Sequence, residues 1–245
     1  MAFWNPTPPV TPEEQQWVDK SMWRLVWLLG RERLAQAKVV LPTPQFFPDT
    51  YDRSYESARR VLDRTCHYLS LDPRSVDLEV FGAEADEFRS ALSAWGIQTP
   101  SGPAGFYCRG ERHTVSVRAS KLDDPTSLIA TLAHELCHVL LLGDRLVEQD
   151  EPDMEPFTDL ATVFLGFGVC SGNACFTTRQ WAAGTRHGWQ TEKLGYLSEE
   201  MYGYAIAVFA QMRGESRPAW AKHLSTNVRS YFTRSQKVLA ARTKT

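Results

Sequence analysis

The pentapeptide His134-Glu135-Leu136-Cys137-His138 contains residue types at a spacing that suits metal chemistry. Side chains four positions apart lie on the same face of an α-helix, so both imidazoles can bind one ion. Glu135 lies one position round the helix, beside such an ion, where its carboxylate can accept a proton from a coordinated water. The pattern therefore indicates a zinc hydrolase with His134 and His138 as ligands and Glu135 as the general base.

The third ligand has to come from elsewhere, because catalytic zinc takes three protein ligands and leaves one position for water. Glu155 and Asp159 stand out because they are four positions apart at the start of a predicted helix and share a face. Pro156 places Glu155 at the N-cap or in the first turn, so Asp159 or Asp153 is the alternative ligand. The full set of acidic candidates is Glu148, Asp150, Glu151, Asp153, Glu155 and Asp159.

The pentapeptide lies within an apolar stretch, residues 127–142, which predicts that the metal-binding helix is buried. Asp124-Pro125 marks the helix start, because aspartate caps helix N-termini and proline suits the first turn. Gly143 marks its end, since glycine commonly terminates helices. We therefore expect a helix that holds both imidazoles on one face.

The rest of the pattern predicts the elements that position this helix. Short apolar or alternating runs predict strands at 76–81, 105–108 and 114–118. Helical periodicity predicts further helices at about 11–33, 52–70, 83–95, 154–168, 178–188, 198–213, 218–226 and 228–241. We expect an α+β fold, mostly helical, with a small sheet of about three strands packed on the metal-binding helix.

Two regions are expected along the chain. Residues 1–50 are predicted to form an N-terminal arm, a Trp-rich helix and a Pro-rich linker, and residues 51–245 the domain with the metal-binding helix. Residues 11–14, Thr-Pro-Glu-Glu, predict a capping box at the start of the first helix. Trp23 and Trp27 on that helix are interpreted as packing groups rather than as a cofactor site.

Composition excludes several classes of function. The net charge of −2 lacks the basic excess that nucleic acid or an anionic membrane attracts, so neither is an expected partner. The longest apolar run, 139–142 with its flanks, is shorter than a membrane span, and residues 1–11 lack the pattern of a targeting segment. The five cysteines form no CxxC pair and indicate reduced thiols, so we expect a cytoplasmic protein.

The pentapeptide followed by Glu155-Pro156-Phe157-Thr158-Asp159 resembles the zincins, in particular the gluzincin branch of the thermolysin and neprilysin families. Those families combine His-Glu-x-x-His with a downstream Glu-x-x-x-Asp. The resemblance covers roughly residues 105–165, with a somewhat shorter gap before the second motif than in thermolysin.

This resemblance implies a zincin-like fold and a metallopeptidase that acts on a peptide or protein substrate. It implies Zn²⁺ on His134, His138 and Glu155, Glu135 as the general base, and Asp159 as a hydrogen-bond partner of His134. It further implies an edge strand along the cleft that holds the substrate backbone, and the strand at 114–118 matches in position.

Several points stay open in the sequence. The alternative function is a zinc-binding regulatory or interaction protein with little or no hydrolysis. A purely structural helix without metal would require Glu155 and Asp159 to point away from His134 and His138. A zinc peptidase also needs a donor for the oxyanion, and the candidates are Arg186, His187, Tyr196, Tyr202 and Tyr204.

Overall fold

A computed structural model describes residues 7–82, 105–109, 113–143, 145–148, 151–183, 186–193 and 195–242 of the chain. It confirms an α+β fold that is mostly helical and has a small three-stranded sheet. The predicted helix at 83–95 lies outside the described residues.

Helix α1 (Pro12–Leu29) begins with the predicted capping box. The Glu14 backbone N–H donates to the Thr11 hydroxyl, and the Thr11 N–H donates to the Glu14 carboxylate. The helix ends earlier than predicted because Gly30 takes a φ of 91°, after which the short helix α2 (Arg31–Gln36) follows.

The N-terminal helix packs into the same hydrophobic core as the rest of the protein. Val18, Met22 and Leu25 of α1 are fully buried and belong to the same hydrophobic core as the helix predicted to bind metal. The interpretation of Trp23 and Trp27 as packing groups is wrong, because their exposed fractions are 55% and 83%.

Helix α3 (Tyr55–Leu69) leads into the sheet of strands β1 (Val76–Phe81), β2 (Gly105–Arg109) and β3 (His113–Arg118). Their order is β1-β3-β2, with β1 parallel and β2 antiparallel to β3. The expectation that 114–118 is a substrate-binding edge strand is therefore wrong, because β3 is paired on both sides. In the described part of the sheet, β2 borders β3 and forms an edge.

Helix α4 (Pro125–Gly143) is the predicted metal-binding helix. Asp124 caps its start, since the Thr126 N–H donates to Asp124 Oδ1 at 3.0 Å. The helix packs against α3, β2 and β3. By length and composition this helix could cross a membrane, which the sequence analysis did not predict. However, 78% of its apolar segment is buried inside the protein.

Two helices follow α4 and pack against it, α5 (Met154–Phe164) and α6 (Gly168–Ala174). The predicted helix at 154–168 ends early at Gly166, whose φ is 94°. A Cβ at Gly166 would lie 2.0 Å from the backbone oxygen of Lys38, so only glycine allows the two segments to approach this closely.

The segment after α6 is an antiparallel hairpin of β4 (Phe176–Ala183) and β5 (Arg186–Lys193). The predicted helix at 178–188 is therefore wrong, and the threonines and aromatic residues of this segment favour strands. Helices α7 (Glu199–Met212) and α8 (Thr226–Arg242) confirm the last two long predicted helices. A 3₁₀ turn (Ala219–His223) replaces the helix predicted at 218–226.

Candidate metal centre

Helix α4 places the imidazoles of His134 and His138 on one face, with their Nε2 atoms 3.1 Å apart. The carboxylate of Glu155 faces both rings. Its Oε2 lies 3.1 Å from His134 Nε2 and 3.5 Å from His138 Nε2. These three side chains form a group that could hold a metal ion.

Glu155 reaches the histidines from the first turn of α5, where Pro156 predicted it to be. Proline is tolerated there because the first N–H groups of a helix have no partner within the helix. The two alternative ligands make other contacts. Asp153 accepts a hydrogen bond from Trp17 Nε1 at 3.1 Å, and Asp159 lies behind His134 at its Nδ1.

The hydrogen-bond partners of the two Nδ1 atoms define the tautomers of the imidazoles. His134 Nδ1 lies 2.8 Å from Asp159 Oδ1, and a carboxylate only accepts hydrogen bonds, so this nitrogen carries the proton. His138 Nδ1 faces the Thr158 hydroxyl at 3.4 Å. That hydroxyl donates to the Met154 carbonyl at 2.8 Å, so its lone pairs accept from His138. In their neutral forms, both rings therefore direct Nε2 lone pairs to the centre.

This donor set fits a divalent cation. Two imidazole nitrogens and a carboxylate oxygen converge within 3.1–3.5 Å of one another, and such acceptors repel one another unless a proton or a metal cation lies between them. Tetrahedral zinc with ligand distances of about 2.0–2.2 Å places its ligand atoms about 3.3 Å apart. The observed separations match that spacing.

Charge and burial shift the titration of the groups around the centre. Burial lowers the pKa of His134, but its hydrogen bonds to Asp159 and Glu155 outweigh burial and raise it to about 10. The same contacts with His134 and His138 hold the pKa of Glu155 far below its usual value. The site without metal therefore retains a proton where a cation would bind.

Glu135 is almost completely buried, with an exposed fraction of 4%. Burial raises the pKa of its carboxyl to about 7, His134 opposes this rise, and the charges of Glu155 and Asp159 add to it. A carboxyl with a pKa near neutrality can both accept and return a proton, as general acid–base catalysis requires.

Asp159 connects the centre to a later segment of the chain. Its Oδ1 faces His134, and its Oδ2 accepts the backbone N–H groups of Tyr196 at 2.6 Å and Leu197 at 3.2 Å. Gly195 has a φ of 87°, and a Cβ there would lie 2.9 Å from Asp159 Oδ2. The positive φ and this close approach to Asp159 both favour glycine at the first position of the 195–197 turn.

This turn brings Tyr196 to the centre. Its ring stacks on the imidazole of His134 with centroids 6.1 Å apart and an interplanar angle of 23°. Tyr202 and Tyr204 are buried. The Tyr202 hydroxyl interacts with Asp159, whereas the Tyr204 hydroxyl contacts Gln15 and Asp19 of α1. Among the oxyanion-donor candidates whose side chains are described, Tyr196 is the exposed one beside the centre, with an exposed fraction of 55%. The side chains of Arg186 and His187 lie outside the described residues.

The sequence prediction did not assign the role of Thr158. Its hydroxyl supports His138 as Asp159 supports His134. A polar side chain on the same helical face as Glu155, inside an otherwise apolar helix, is the signal that could have identified it. Thr162 extends that polar face but bonds to the Asp159 carbonyl and Ser171, away from the imidazoles.

The described cysteines agree with the prediction of reduced thiols. Cys66, Cys137, Cys170 and Cys175 are free and buried. Cys137 is fully buried in the hydrophobic core, and burial raises the pKa of its thiol, so this residue is a packing group of α4.

Comparison with known proteins found no matching family model, no matching curated protein and no matching solved structure. The chemistry of the centre is therefore inferred from its own geometry.

Proposed function

We propose that this protein is a zinc-dependent peptidase. One observation carries the proposal. Three lone-pair donors, on His134, His138 and Glu155, converge at the spacing of a tetrahedral site. The buried Glu135 carboxyl, on the same helix as the two histidines, interacts electrostatically with His134 and Glu155. Structural zinc sites are closed by four protein ligands, whereas three ligands leave a position for water or substrate.

The donor types favour zinc among the divalent ions. Two imidazole nitrogens and one carboxylate oxygen are the ligand set of several catalytic zinc sites. Magnesium and calcium prefer all-oxygen sites with more ligands, so a compact nitrogen-rich triad disfavours both. Each imidazole also has a partner at its Nδ1, which fixes the ring and raises its basicity as a ligand.

A zinc ion in this position would lower the pKa of a coordinated water to about 7 and polarise a substrate carbonyl. Glu135 would accept the proton that the attacking water releases and return it to the leaving amine. The pKa of its carboxyl, raised by burial to about 7 in the metal-free site, falls when a cation binds nearby, so Glu135 starts the reaction as a carboxylate.

Tyr196 would contribute on the substrate side. Burial and the charges of Glu155 and Asp159 raise the pKa of its phenol, so the hydroxyl stays protonated at neutral pH. A protonated phenol beside the centre can donate a hydrogen bond to the carbonyl oxygen as negative charge develops there. Among the described strands, β2 lies at the edge of the sheet on α4, and its outer backbone groups would pair with an extended peptide.

Replacement of Glu135 by glutamine tests the proposal. Glu135→Gln keeps the shape of the side chain but removes the base, so we expect bound zinc to stay near one equivalent while hydrolysis falls by about 10²–10⁴-fold. Zinc content is measured by elemental analysis. Cleavage is measured as new N-termini that appear in a proteome-derived peptide mixture. Glu56→Gln, an exposed position on α3, is the matched control.

Each outcome has a distinct meaning. New N-termini that appear equally with Glu135→Gln would show that Glu135 is not the base. Zinc binding without cleavage by the unmodified protein would overturn the peptidase and favour the alternative, a zinc-binding regulatory protein. Absence of zinc binding would overturn the metal centre itself.

A further inference from the structure

Helix α1 contacts the segment that leads into Glu155. The guanidinium of Arg24 makes two hydrogen bonds to the Glu151 carboxylate, at 2.6 and 2.8 Å. The same guanidinium lies over the ring of Phe157, 4.8 Å from its centroid. Arg24 therefore contacts α5 and its leading segment on both sides of Glu155.

A second contact from α1 involves Asp153, the N-cap position of α5. An aspartate there normally accepts an N–H from the first turn of its own helix, but Asp153 makes no such cap. Its carboxylate instead accepts the indole N–H of Trp17 at 3.1 Å. The N-cap side chain of α5 therefore hydrogen-bonds to α1 and not to the first turn of its own helix.

We propose that Arg24 and Trp17 are positioning residues for the third metal ligand, and that they act by fixing the start of α5 so that Glu155 faces both histidines. This inference rests on the metal centre proposed above. It assigns the N-terminal helix, whose role the sequence left open, to the function of the centre.

The three ligands differ in how firmly the fold holds them. His134 and His138 lie in the middle of α4, most of which is buried. Glu155 lies in the first turn of a short helix, and 42% of its side chain is exposed. First turns fray because their N–H groups lack partners within the helix. Contacts from outside α5 are therefore what can keep Glu155 in place.

Helix α1 is a firm support for these contacts. Val18, Met22 and Leu25 anchor it in the core with no exposed surface. On a neighbouring face, Gln15 and Asp19 both hydrogen-bond to the hydroxyl of Tyr204 on α7. Arg24 and Trp17 thus reach the start of α5 from a helix that is itself fixed in the core.

The test is a double-mutant cycle on zinc affinity, measured by competition with a chromophoric chelator. Arg24→Met removes the paired hydrogen bonds, and Trp17→Phe removes the indole N–H while keeping most of the ring. We expect Arg24→Met to weaken zinc binding about 10-fold, in the range of changes to groups that orient a ligand. In a Glu155→Gln background we expect Arg24→Met to have little further effect, because the residue through which it acts is already lost.

Two further variants sharpen the result. Arg24→Lys keeps the charge but not the two parallel hydrogen bonds, so its affinity should lie between those of the unmodified protein and Arg24→Met. Arg64→Met, which removes an exposed ion pair between α3 and Asp49, should leave zinc affinity unchanged. Thermal unfolding without metal checks that every variant is folded.

The inference is overturned if Arg24→Met binds zinc as tightly as the unmodified protein. It is also overturned if Arg24→Met weakens binding equally with and without Glu155, because that result means a general loss of stability. The readout is metal binding alone. If the zinc affinities follow this cycle but the protein cleaves no peptide, only the proposed peptidase activity is disproved.

Discussion

His134 and His138 are the same residue type, one helical turn apart, yet the fold supports them differently. His134 donates from Nδ1 to a buried carboxylate at 2.8 Å. His138 faces the neutral hydroxyl of Thr158 at 3.4 Å. A bond to an ionised acceptor is roughly twice as strong as a neutral one. The fold therefore fixes one ligand firmly and the other weakly.

Thr158 and Asp159 also differ in the other groups to which they hydrogen-bond. Besides facing His138, the Thr158 hydroxyl donates its own proton to the Met154 carbonyl, so its other contact lies within α5. Asp159 uses its second oxygen for the backbone of Tyr196 and Leu197. The carboxylate thus contacts both the candidate metal centre and the 195–197 turn. We infer that loss of Asp159 affects two functions and loss of Thr158 only one.

Replacement of Asp159 by asparagine has the largest expected effect. The amide oxygen of the new side chain can still accept from His134, but its NH₂ group then faces two backbone N–H donors and leaves them unsatisfied. We expect Asp159→Asn to weaken zinc binding about 10–100-fold and to lower kcat as Tyr196 moves. Chelator competition and peptide hydrolysis at saturating zinc measure the two effects separately.

Tyr196→Phe is the control that separates the two functions of Asp159. It removes only the phenol hydroxyl, so kcat should fall much more than zinc affinity, which loses only the contact of that hydroxyl with Glu155. If Asp159→Asn instead reduced zinc affinity while kcat at saturating zinc were normal, the proposed link between Asp159 and the 195–197 turn would be wrong.

Local pattern was enough to predict the parts of the centre that lie within single helices. The spacing of His134 and His138 placed both on one face of α4, and Asp124 and Gly143 marked its bounds, as the structure has them. Pro156 correctly placed Glu155 in the first turn of α5. Each of these inferences uses residues within a few positions of one another, where helix geometry alone fixes their relation.

The remaining parts depend on contacts that local pattern does not encode. Tyr196 is 37 positions from Asp159, and Arg24 is 127 positions from Glu151. Alternation identified β3 as a strand, but strand order is a property of the whole sheet, so its central place was missed. The hairpin at 176–193 was mistaken for a helix because its short segments fit both periodicities.

The raised pKa of His134 should make the stability of the metal-free protein depend on pH. The folded-state pKa of His134, about 10, lies above its ordinary value of 6.5, because Asp159 and Glu155 overcome the effect of burial. A raised pKa means that this group contributes stability below about pH 6.5 and that the contribution is lost as pH rises toward 10. We expect the metal-free protein to lose stability across that window, by no more than about 1.4 kcal/mol per pH unit.

Zinc takes the place of that proton, so the zinc-loaded protein should lack this loss. The difference in melting temperature between the loaded and chelator-treated protein should therefore grow from about pH 6.5 to about pH 8.5. Asp159→Asn should reduce the growth, since it removes the charge that raises the pKa of His134. A constant difference across this range would show that His134 holds no extra proton in the free protein.

The smallest expected effect comes from Thr158. Thr158→Val keeps the shape of this fully buried side chain and removes only the hydroxyl, so His138 Nδ1 loses a neutral partner. The net worth of such a hydrogen bond is about 1 kcal/mol, which corresponds to roughly a 5-fold weaker affinity for zinc. Thr158→Ser keeps the hydroxyl and should restore most of the affinity.

Thr158→Val should leave kcat at saturating zinc unchanged, because Thr158 does not reach the 195–197 turn. The ratio of the Asp159→Asn and Thr158→Val effects on zinc affinity then measures the difference between the two supports directly. Equal losses in affinity would mean that the second oxygen and the charge of Asp159 add nothing at His134. The two imidazoles would then be supported equally for metal binding, although the contact at His134 is shorter than the one at His138.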